Sequence, residues 1–548
     1  MARILRAALF CYFREHAMCT VTLSDLTFAR PDGPVLFEGL NATFGPGPVG
    51  LIGANGAGKT TLLRLIAGRL RPARGSVTVT GQLGYLRQDL TLAAGQQVST
   101  VLGLDPVRDA LHRIESGHGT EADFELADGN WDVEERAIAL LGRLGLPYLA
   151  DDVTHLDRRL DTLSGGETEL LGLVAELLRE PDALLLDEPT NNLDSVARER
   201  LWSVIAEFSG TVLVAGHDRE LLDRMGTIAE LRRGEIRMFG GNFAHYEEIV
   251  DAEQEAARAA VRDARSDVRK QAQELIAART TIDRRRRYGQ KMFENKREPK
   301  IVMGQRKRQA QESAGKYRNL HLDRVAEARE QLAHAEEQIR DDREIRVDLP
   351  DTRLYPGQQV VELAGVELAC GPTVDLAVTG PERIAITGRN GVGKTTLLQR
   401  IMAESPAVPW RLLPQRLDIF DEDRSVAANV RAAAPGRSDE EIRARLARFL
   451  FRGTAADVPA GALSGGERLR AALAVLLLAD PAPRLLLLDE PTNNLDLPSL
   501  RHLTEALAEF QGALIVVSHD QRFLDEIGIT RQLELTPDGL TEAPSAPC

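Results

Sequence analysis

Apolar positions in this chain follow two different rhythms. Short unbroken runs come first: Val49-Gly50-Leu51-Ile52 and Ala183-Leu184-Leu185, then, much later, Ile384-Ala385-Ile386 and Leu485-Leu486-Leu487. Runs of this length predict strands buried on both faces, as in a parallel sheet flanked by helices. The second rhythm fills the middle of the chain. From Glu247 to Arg346 the composition turns to Ala, Arg, Glu and Gln. Val261, Val268, Leu275 and Ile282 recur every seven residues, and on the return Val325, Leu332 and Ile339 do the same, with Ala328 and Ala335 between them. Heptad spacing predicts an amphipathic seam between two long antiparallel helices, each of about 40 residues and about 60 Å. Tyr288-Gly289, Pro299 and Gly304 interrupt the pattern and place a tip at 288–304.

The apolar runs belong to an internal repeat. Leu186-Asp187-Glu188-Pro189-Thr190-Asn191-Asn192-Leu193-Asp194 returns letter for letter at Leu488 to Asp496. An apolar strand ending in Asp-Glu delivers two carboxylates to its C-terminal tip, where open α/β sheets bind ligands. Upstream of each copy stands a G-x-x-x-x-G-K-[ST] loop. The first is Gly53, Ala54, Asn55, Gly56, Ala57, Gly58, Lys59, Thr60 and Thr61; the second is Gly388, Arg389, Asn390, Gly391, Val392, Gly393, Lys394, Thr395 and Thr396. Such a loop turns backbone N–H groups onto phosphate oxygens, its lysine reaches the β- and γ-phosphates, and its Thr hydroxyl can ligate Mg²⁺. One match is modest support; two, each followed by the same carboxylate strand, exclude coincidence.

Further matched elements follow. Gly84-Tyr85-Leu86-Arg87-Gln88 pairs with Arg411-Leu412-Leu413-Pro414-Gln415, each predicting a strand that ends in a glutamine near the phosphates. Leu163-Ser164-Gly165-Gly166-Glu167 pairs with Leu463-Ser464-Gly465-Gly466-Glu467. Ser with Glu three residues on is a capping box; the two glycines add room for an anion at the helix start. His217 and His519, each followed by Asp, stand 29 residues after Glu188 and Glu490, each behind an apolar strand. The resulting plan is an N-terminal extension 1–17, a first domain 18–245, a helical hairpin 246–350, a second domain 351–536 and a loose tail 537–548. The spacing from Lys59 to Ser164 is 105 residues against 70 from Lys394 to Ser464, so the first domain carries 35 more, with a small acidic surface insertion at Gly117–Trp131.

Composition changes the picture at three points. A chain of 548 residues with 43% hydrophobic content is globular and has room for about three or four domains. Its four cysteines have no metal spacing, which suits a reducing cytosol, and no apolar run is long enough for a membrane helix. Met1–Ala17 has a faint signal-peptide look, but its apolar part is short and charged residues follow, so Met18 opens the folded part. Net charge is −14, yet Arg284–Arg308 holds eleven Lys/Arg against two Glu. That segment is +9 and the remainder −23. Arg284-Arg285-Arg286-Arg287 is one block, with Tyr288, Met292, Phe293, Ile301, Val302 and Met303 among the cations. A solvated helix face would alternate its charges; basic residues with interleaved aromatics fit RNA.

Paired phosphate loops, Leu-Ser-Gly-Gly-Glu signatures and Leu-Asp-Glu-Pro-Thr strands resemble the ATP-binding cassette superfamily over nearly the whole chain. Two fused cassettes joined by a basic hairpin, without a membrane domain, look like the ABC-F subfamily. The resemblance implies an α/β fold of two P-loop cassette domains joined by a long antiparallel helical hairpin. It implies a cytoplasmic, monomeric ATP hydrolase whose cassettes pair head to tail over two ATPs. One site would combine Lys59 and Thr60 with Ser464, Gly465 and Gly466, the other Lys394 and Thr395 with Ser164, Gly165 and Gly166. Asp187 and Asp489 would hold Mg²⁺, with Thr60 and Thr395. Glu188 and Glu490 would orient the attacking water, Gln88 and Gln415 would sense it, His217 and His519 would contact the γ-phosphate, and Asp194 and Asp496 would couple the sites. The implied partner is the ribosome, bound at its E site, with Arg284–Arg308 reaching rRNA and the P-site tRNA. Some members protect ribosomes from antibiotics, and the long hairpin and the insertion look more like those.

Departures from the family pattern mark positions to watch. Arg30 and Cys370 stand where an adenine-stacking aromatic is expected, with Phe28 nearby in the first cassette. Leu170 replaces the basic residue that Arg470 keeps, and Gly216 stands where the second half has Ser518. A rival reading is a cytosolic ATPase energising a separate membrane exporter; it gives the +9 segment no role. DNA maintenance is a third; there the coiled coil splits a cassette or zinc cysteines appear, and neither is seen.

Overall fold

The computed structural model describes residues 19–30, 33–88, 95–160, 163–191, 193–294, 300–338, 349–369, 371–493 and 495–542. The extension 1–17, Pro299, Ile339 and Cys370 lie outside them. The chain forms two compact units, Met1–Phe243 with Glu344–Cys548, and Ala244–Arg343.

The first cassette has strands β1 (Val21–Ala29), β2 (Val35–Phe44), β3 (Gly47–Ile52), β4 (Arg74–Val79), β5 (Leu83–Leu86), β6 (Ala183–Asp187), β7 (Thr211–Ala215), β8 (Thr227–Arg232) and β9 (Glu235–Gly240). Its main sheet runs β5-β6-β7-β3-β8-β9, parallel except for β9; β2-β1-β4 form a small antiparallel sheet. β6 and β7 are buried at every position, which is why they read as continuous apolar runs. Leu51 and Asp187 both pair with Ala215, and Leu86 pairs with Leu186. Because these ends are level, the segments after Ile52, Leu86, Asp187 and Ala215 leave one edge of the sheet together, and that edge carries the site.

The second cassette repeats the plan with β10 (Gln359–Glu367), β11 (Thr373–Thr379), β12 (Arg383–Thr387), β13 (Trp410–Leu413), β14 (Leu485–Asp489), β15 (Ala513–Val517), β16 (Arg531–Thr536) and β17 (Gly539–Glu542). Its sheet runs β13-β14-β15-β12-β16-β17, strand for strand the same order. The loose tail expected after Thr536 is corrected here. Pro537-Asp538-Gly539 is a turn sequence, and it folds Gly539–Glu542 back as an antiparallel edge strand on β16. The insertion in the first cassette is helical. Thr120 and Asp123 form a capping box that starts a helix over Glu121–Ala127, and Arg113 binds the same Asp123.

The hairpin unit has helices Phe243–Glu294 and Lys300–Gln338. Tyr288-Gly289 and Gly304, expected to interrupt, lie inside them. A helical glycine costs only about 1 kcal/mol, and Arg, Gln, Lys and Met around these two are strong helix formers. Val261, Leu275, Val325 and Ala328 are buried, with Val268, Ile282, Leu332 and Ala335 half-buried. Ala257, Ala264, Gln271 and Ala278 fill the companion positions, so the seam alternates steps of three and four. Arg284–Arg287 and Tyr288 are exposed; the side chains of Met292, Phe293, Ile301, Val302 and Met303 lie outside those described.

Candidate functional site

Each phosphate loop joins a central strand to a helix, β3 to Lys59–Ile66 and β12 to Lys394–Ala403. Gly58 and Gly393, at the helix N-caps, have φ of 110° and 107°, a region open to glycine. Ala54, Asn55 and Gly56 are exposed, as are Arg389, Asn390 and Gly391, whereas Lys59 and Lys394 are buried. Lys59 Nζ donates to Gly53 O at 2.8 Å and Lys394 Nζ to Gly388 O at 2.7 Å, so each lysine lies folded along its own loop. Burial lowers both lysine pKa values, against the pull of Glu188 and Glu490.

The carboxylates arrive from β6 and β14. Thr60 Oγ1 donates to Asp187 Oδ1 at 3.0 Å, and Thr395 hydrogen-bonds Asp489 in the matching place. Glu188 and Glu490 take positive φ, 52° and 45°, rare for a residue with a side chain and held here by N–H bonds to Ala215 O and Val517 O. Burial raises both glutamates to a pKa of about 7. The histidines follow β7 and β15. His217 Nε2 lies 2.7 Å from Lys59 Nζ and 3.4 Å from Glu188 Oε1; His519 Nε2 lies 2.8 Å from Lys394 Nζ and 3.4 Å from Glu490 Oε1. Burial and the lysines drop both histidines to about 3, so they are neutral. Nε2 therefore accepts from the lysine, and the ring proton sits on Nδ1, which in His217 has no partner among the described residues.

The two cassettes meet at these loops. Asp496 Oδ2 accepts from Asn55 N at 2.7 Å, and Asp194 Oδ2 lies 3.5 Å from Asn390 N. A Cβ at Gly465 would stand 3.7 Å from Asn55 Nδ2, so the second signature faces the first phosphate loop. Ser164 and Ser464 are exposed N-caps of helices Gly165–Leu177 and Gly465–Leu477, each in a capping box with Glu167 or Glu467; Gly165 and Gly465 are exposed, Gly166 is buried and Gly466 half-buried.

Other residues fall less centrally. Gln88 and Gln415 are exposed, two positions past the ends of β5 and β13. Arg30 Nη2 donates to Gly56 O at 3.4 Å, laying a guanidinium against the first loop, while Phe28 packs half-buried against the core. Beside Thr396 an open cavity is lined by Glu367, Leu368, Gln399 and Arg400, without an aromatic. Leu170 is buried, whereas Arg470 lies over the Phe451 ring. A Cβ at Gly216 would have room, 3.7 Å from Glu188 Oε2, and Ser518 uses its hydroxyl to accept from Asp520 N.

Three residues escaped the sequence reading. Tyr85 OH donates to Asp187 Oδ2 at 3.3 Å, and its own pKa is pushed up to about 12 by burial; register places Leu412 at the matching position of the second cassette. Arg219 lies buried and reaches Asp520 and Glu526 of the second cassette, and Arg198, half-buried, pairs with Asp218 of its own cassette. The signal for these was a mismatch between the two halves, visible only once the repeat is aligned through its histidines.

The ABC transporter family model matches residues 37–191 and 372–493. Over 539 residues the chain is 34% identical to the tylosin resistance ATP-binding protein TlrC of Streptomyces fradiae, covering 90% of this chain and 93% of that one. It is 32% identical over 548 residues to the energy-dependent translational throttle protein EttA of Escherichia coli K12, covering 92% and 90%. Among solved structures, the archaeal ribosome recycling factor aABCE1 in complex with the ribosomal stalk protein aP1 superposes with a TM-score of 0.54 over 94% of this chain and 90% of that one, at 18% identity, a likeness of fold.

Proposed function

The chain belongs to the ABC-F subfamily of the ATP-binding cassette proteins, and from that premise we propose that it is an ATPase with two composite sites that acts on the ribosome through its basic hairpin end. The observation that carries the two-site reading is reciprocal: each half places an Asp, Asp496 or Asp194, toward the backbone of the other half's phosphate loop. ATP on Lys59 and Thr60 would be covered by Ser464, Gly465 and Gly466, and ATP on Lys394 and Thr395 by Ser164, Gly165 and Gly166. Among the described residues no cluster of three or more His, Cys, Asp or Glu could hold a metal. Mg²⁺ at a phosphate site takes one or two protein oxygens beside those of the phosphates. Thr60 with Asp187, and Thr395 with Asp489, place hydroxyl and carboxylate oxygens side by side for it, and when bound it would neutralise phosphate charge.

The chain's own residues then do the following. Glu188 and Glu490, with pKa values near neutrality, are poised to take a proton from the attacking water. Lys59 and Lys394 turn from their loop carbonyls to the phosphates. That frees His217 and His519 Nε2, and a change of tautomer lets each ring donate to the γ-phosphate. Gln88 and Gln415 swing in from the exposed edge. Closure and hydrolysis alternate two states of the cassettes, and the work is done in the cytoplasm.

The ribosome reading is supported by the exposed block Arg284–Arg287 with Tyr288 and by the relative named as a translational throttle. We place the protein in the E site, its hairpin end toward the P-site tRNA. Ribosome protection against a macrolide is the output favoured by the tylosin-resistance relative. Among the described residues no helix is long and apolar enough to cross a membrane. Phosphate release with and without 70S ribosomes tests the proposal. Ribosomes should stimulate release, and deletion of 288–304 should abolish the stimulation but not basal turnover. Absence of ATP hydrolysis in either condition overturns it.

A further inference from the structure

From Asp187 and Asp489 through Arg224 and Glu526 the two halves run in step without a gap. Most chemistry-bearing residues match: Glu188 with Glu490, Asp194 with Asp496, His217 with His519, Asp218 with Asp520. Some interface positions do not. Arg198 is matched by Leu500, Arg219 by Gln521, and Arg224 by Glu526.

The structure gives these mismatches a consequence. Asp218 and Asp520 follow the two histidines directly and cap the next helices, accepting from Leu221 N at 3.0 Å and Phe523 N at 2.8 Å. The second oxygen of each faces an arginine, and both arginines come from the first cassette. Arg198 Nη1 lies 3.4 Å from Asp218 Oδ2, within its own cassette. Arg219 reaches across: its Nη2 lies 3.7 Å from Asp520 Oδ2 and its Nη1 donates to Glu526 Oε1 at 2.7 Å. The matching positions carry no arginine; the arm of the second cassette is Arg522, one residue on, and it reaches Asp223 Oδ2 of the first cassette at 3.8 Å rather than the aspartate that follows His217. Gln521 turns to its own helix, donating to Asp525 Oδ1 at 2.9 Å, and Leu500 packs into the core.

We propose that Arg219 is a positioning residue for the ATP site of the second cassette, fixing Asp520 and the loop that carries His519 from across the interface. The matching contact of the first site lies inside one cassette: Arg198 Nη1 stands 3.4 Å from Asp218 Oδ2, an ion pair in which that oxygen has no hydrogen-bond partner among the described residues. The inference rests on the two-site reading above. The Arg219 contact is poised to tighten. The guanidinium is 7% exposed, and its Nε and Nη2 lack hydrogen-bond partners among the described residues. Buried donors left unpaired are costly, and a shift of less than 1 Å toward Asp520 would pair Nη2. Closure of the cassettes would supply that shift, so the second site would become competent only when the cassettes meet, whereas the first would not wait for this contact.

Trapping with vanadate and a photoreactive azido-ATP, followed by peptide mapping, reads turnover at each cassette in the intact protein. Arg219→Gln installs the residue that the second half already carries at this place. It should lower trapping in the second cassette about tenfold or more, since small misplacements at a reacting centre have effects of that size. Trapping in the first cassette should stay within about twofold, with nucleotide affinity unchanged at both. Arg219→Lys should recover most of the loss, which a merely structural defect would not allow. Equal loss in both cassettes, or no loss in either, overturns the inference. Failure of the unsubstituted protein to trap nucleotide at either site would instead sink the two-site reading, and this inference with it.

Discussion

Asp496 does two things with one carboxylate: Oδ1 accepts from Ser499 N at 3.0 Å, capping its own helix, and Oδ2 accepts from Asn55 N at 2.7 Å, on the phosphate loop of the other cassette. Burial alone would raise its pKa, but these hydrogen bonds outweigh it and hold the group ionised. A negative oxygen thus rests on a backbone N–H of a loop built for phosphate.

The two roles separate by substitution. Asp496→Asn keeps a good N-cap and removes the charge; it should leave thermal stability in place while lowering ATP turnover. Asp496→Ala should lower turnover as well and also destabilise by about 1 kcal/mol through the missing cap. Paired melting curves and phosphate-release assays check this. Equal melting points for the two variants would remove the capping role.

Glu188→Gln and Glu490→Gln keep shape and hydrogen bonding but cannot take a proton. Together they should reduce turnover about 100-fold or more, the usual worth of a general base, without weakening ATP binding. Steady-state turnover beside equilibrium nucleotide binding measures both. Turnover unchanged in the double variant would show that the water is activated elsewhere.

The exposed block Arg284–Arg287 should act as charge rather than shape. Replacing all four by Gln should weaken ribosome binding and lower the slope of log affinity against log salt by about 3, at roughly 0.7–0.9 for each phosphate no longer neutralised. Basal ATP turnover should not move. An unchanged salt slope would show that these arginines do not meet phosphate.

Much of the architecture was legible because strong patterns made it redundant. Leu184 to Leu186 are fully buried, and a strand buried on both faces cannot avoid an apolar run. The seam of the hairpin was half visible. Its Val, Leu and Ile positions stood out, while Ala257, Ala264, Gln271 and Ala278 carry too little hydrophobic contrast to register. The final strand was hidden behind Pro537, whose turn resembles the end of a domain. At the site, the loops, carboxylates and histidines were readable because the repeat presents each twice. Tyr85, Arg198 and Arg219 were not, because they act where the halves differ; their partners lie far off in sequence or across the cassette interface.

The measurement closest to the central claim is co-sedimentation of the Glu188→Gln/Glu490→Gln protein with 70S ribosomes in ATP, beside the same protein lacking residues 288–304. The account predicts that the full hairpin holds the protein in the ribosomal pellet with ATP, that ADP releases it, and that the shortened hairpin loses it. Recovery of all three samples in the supernatant would contradict a ribosomal role and leave a two-cassette ATPase whose partner lies elsewhere.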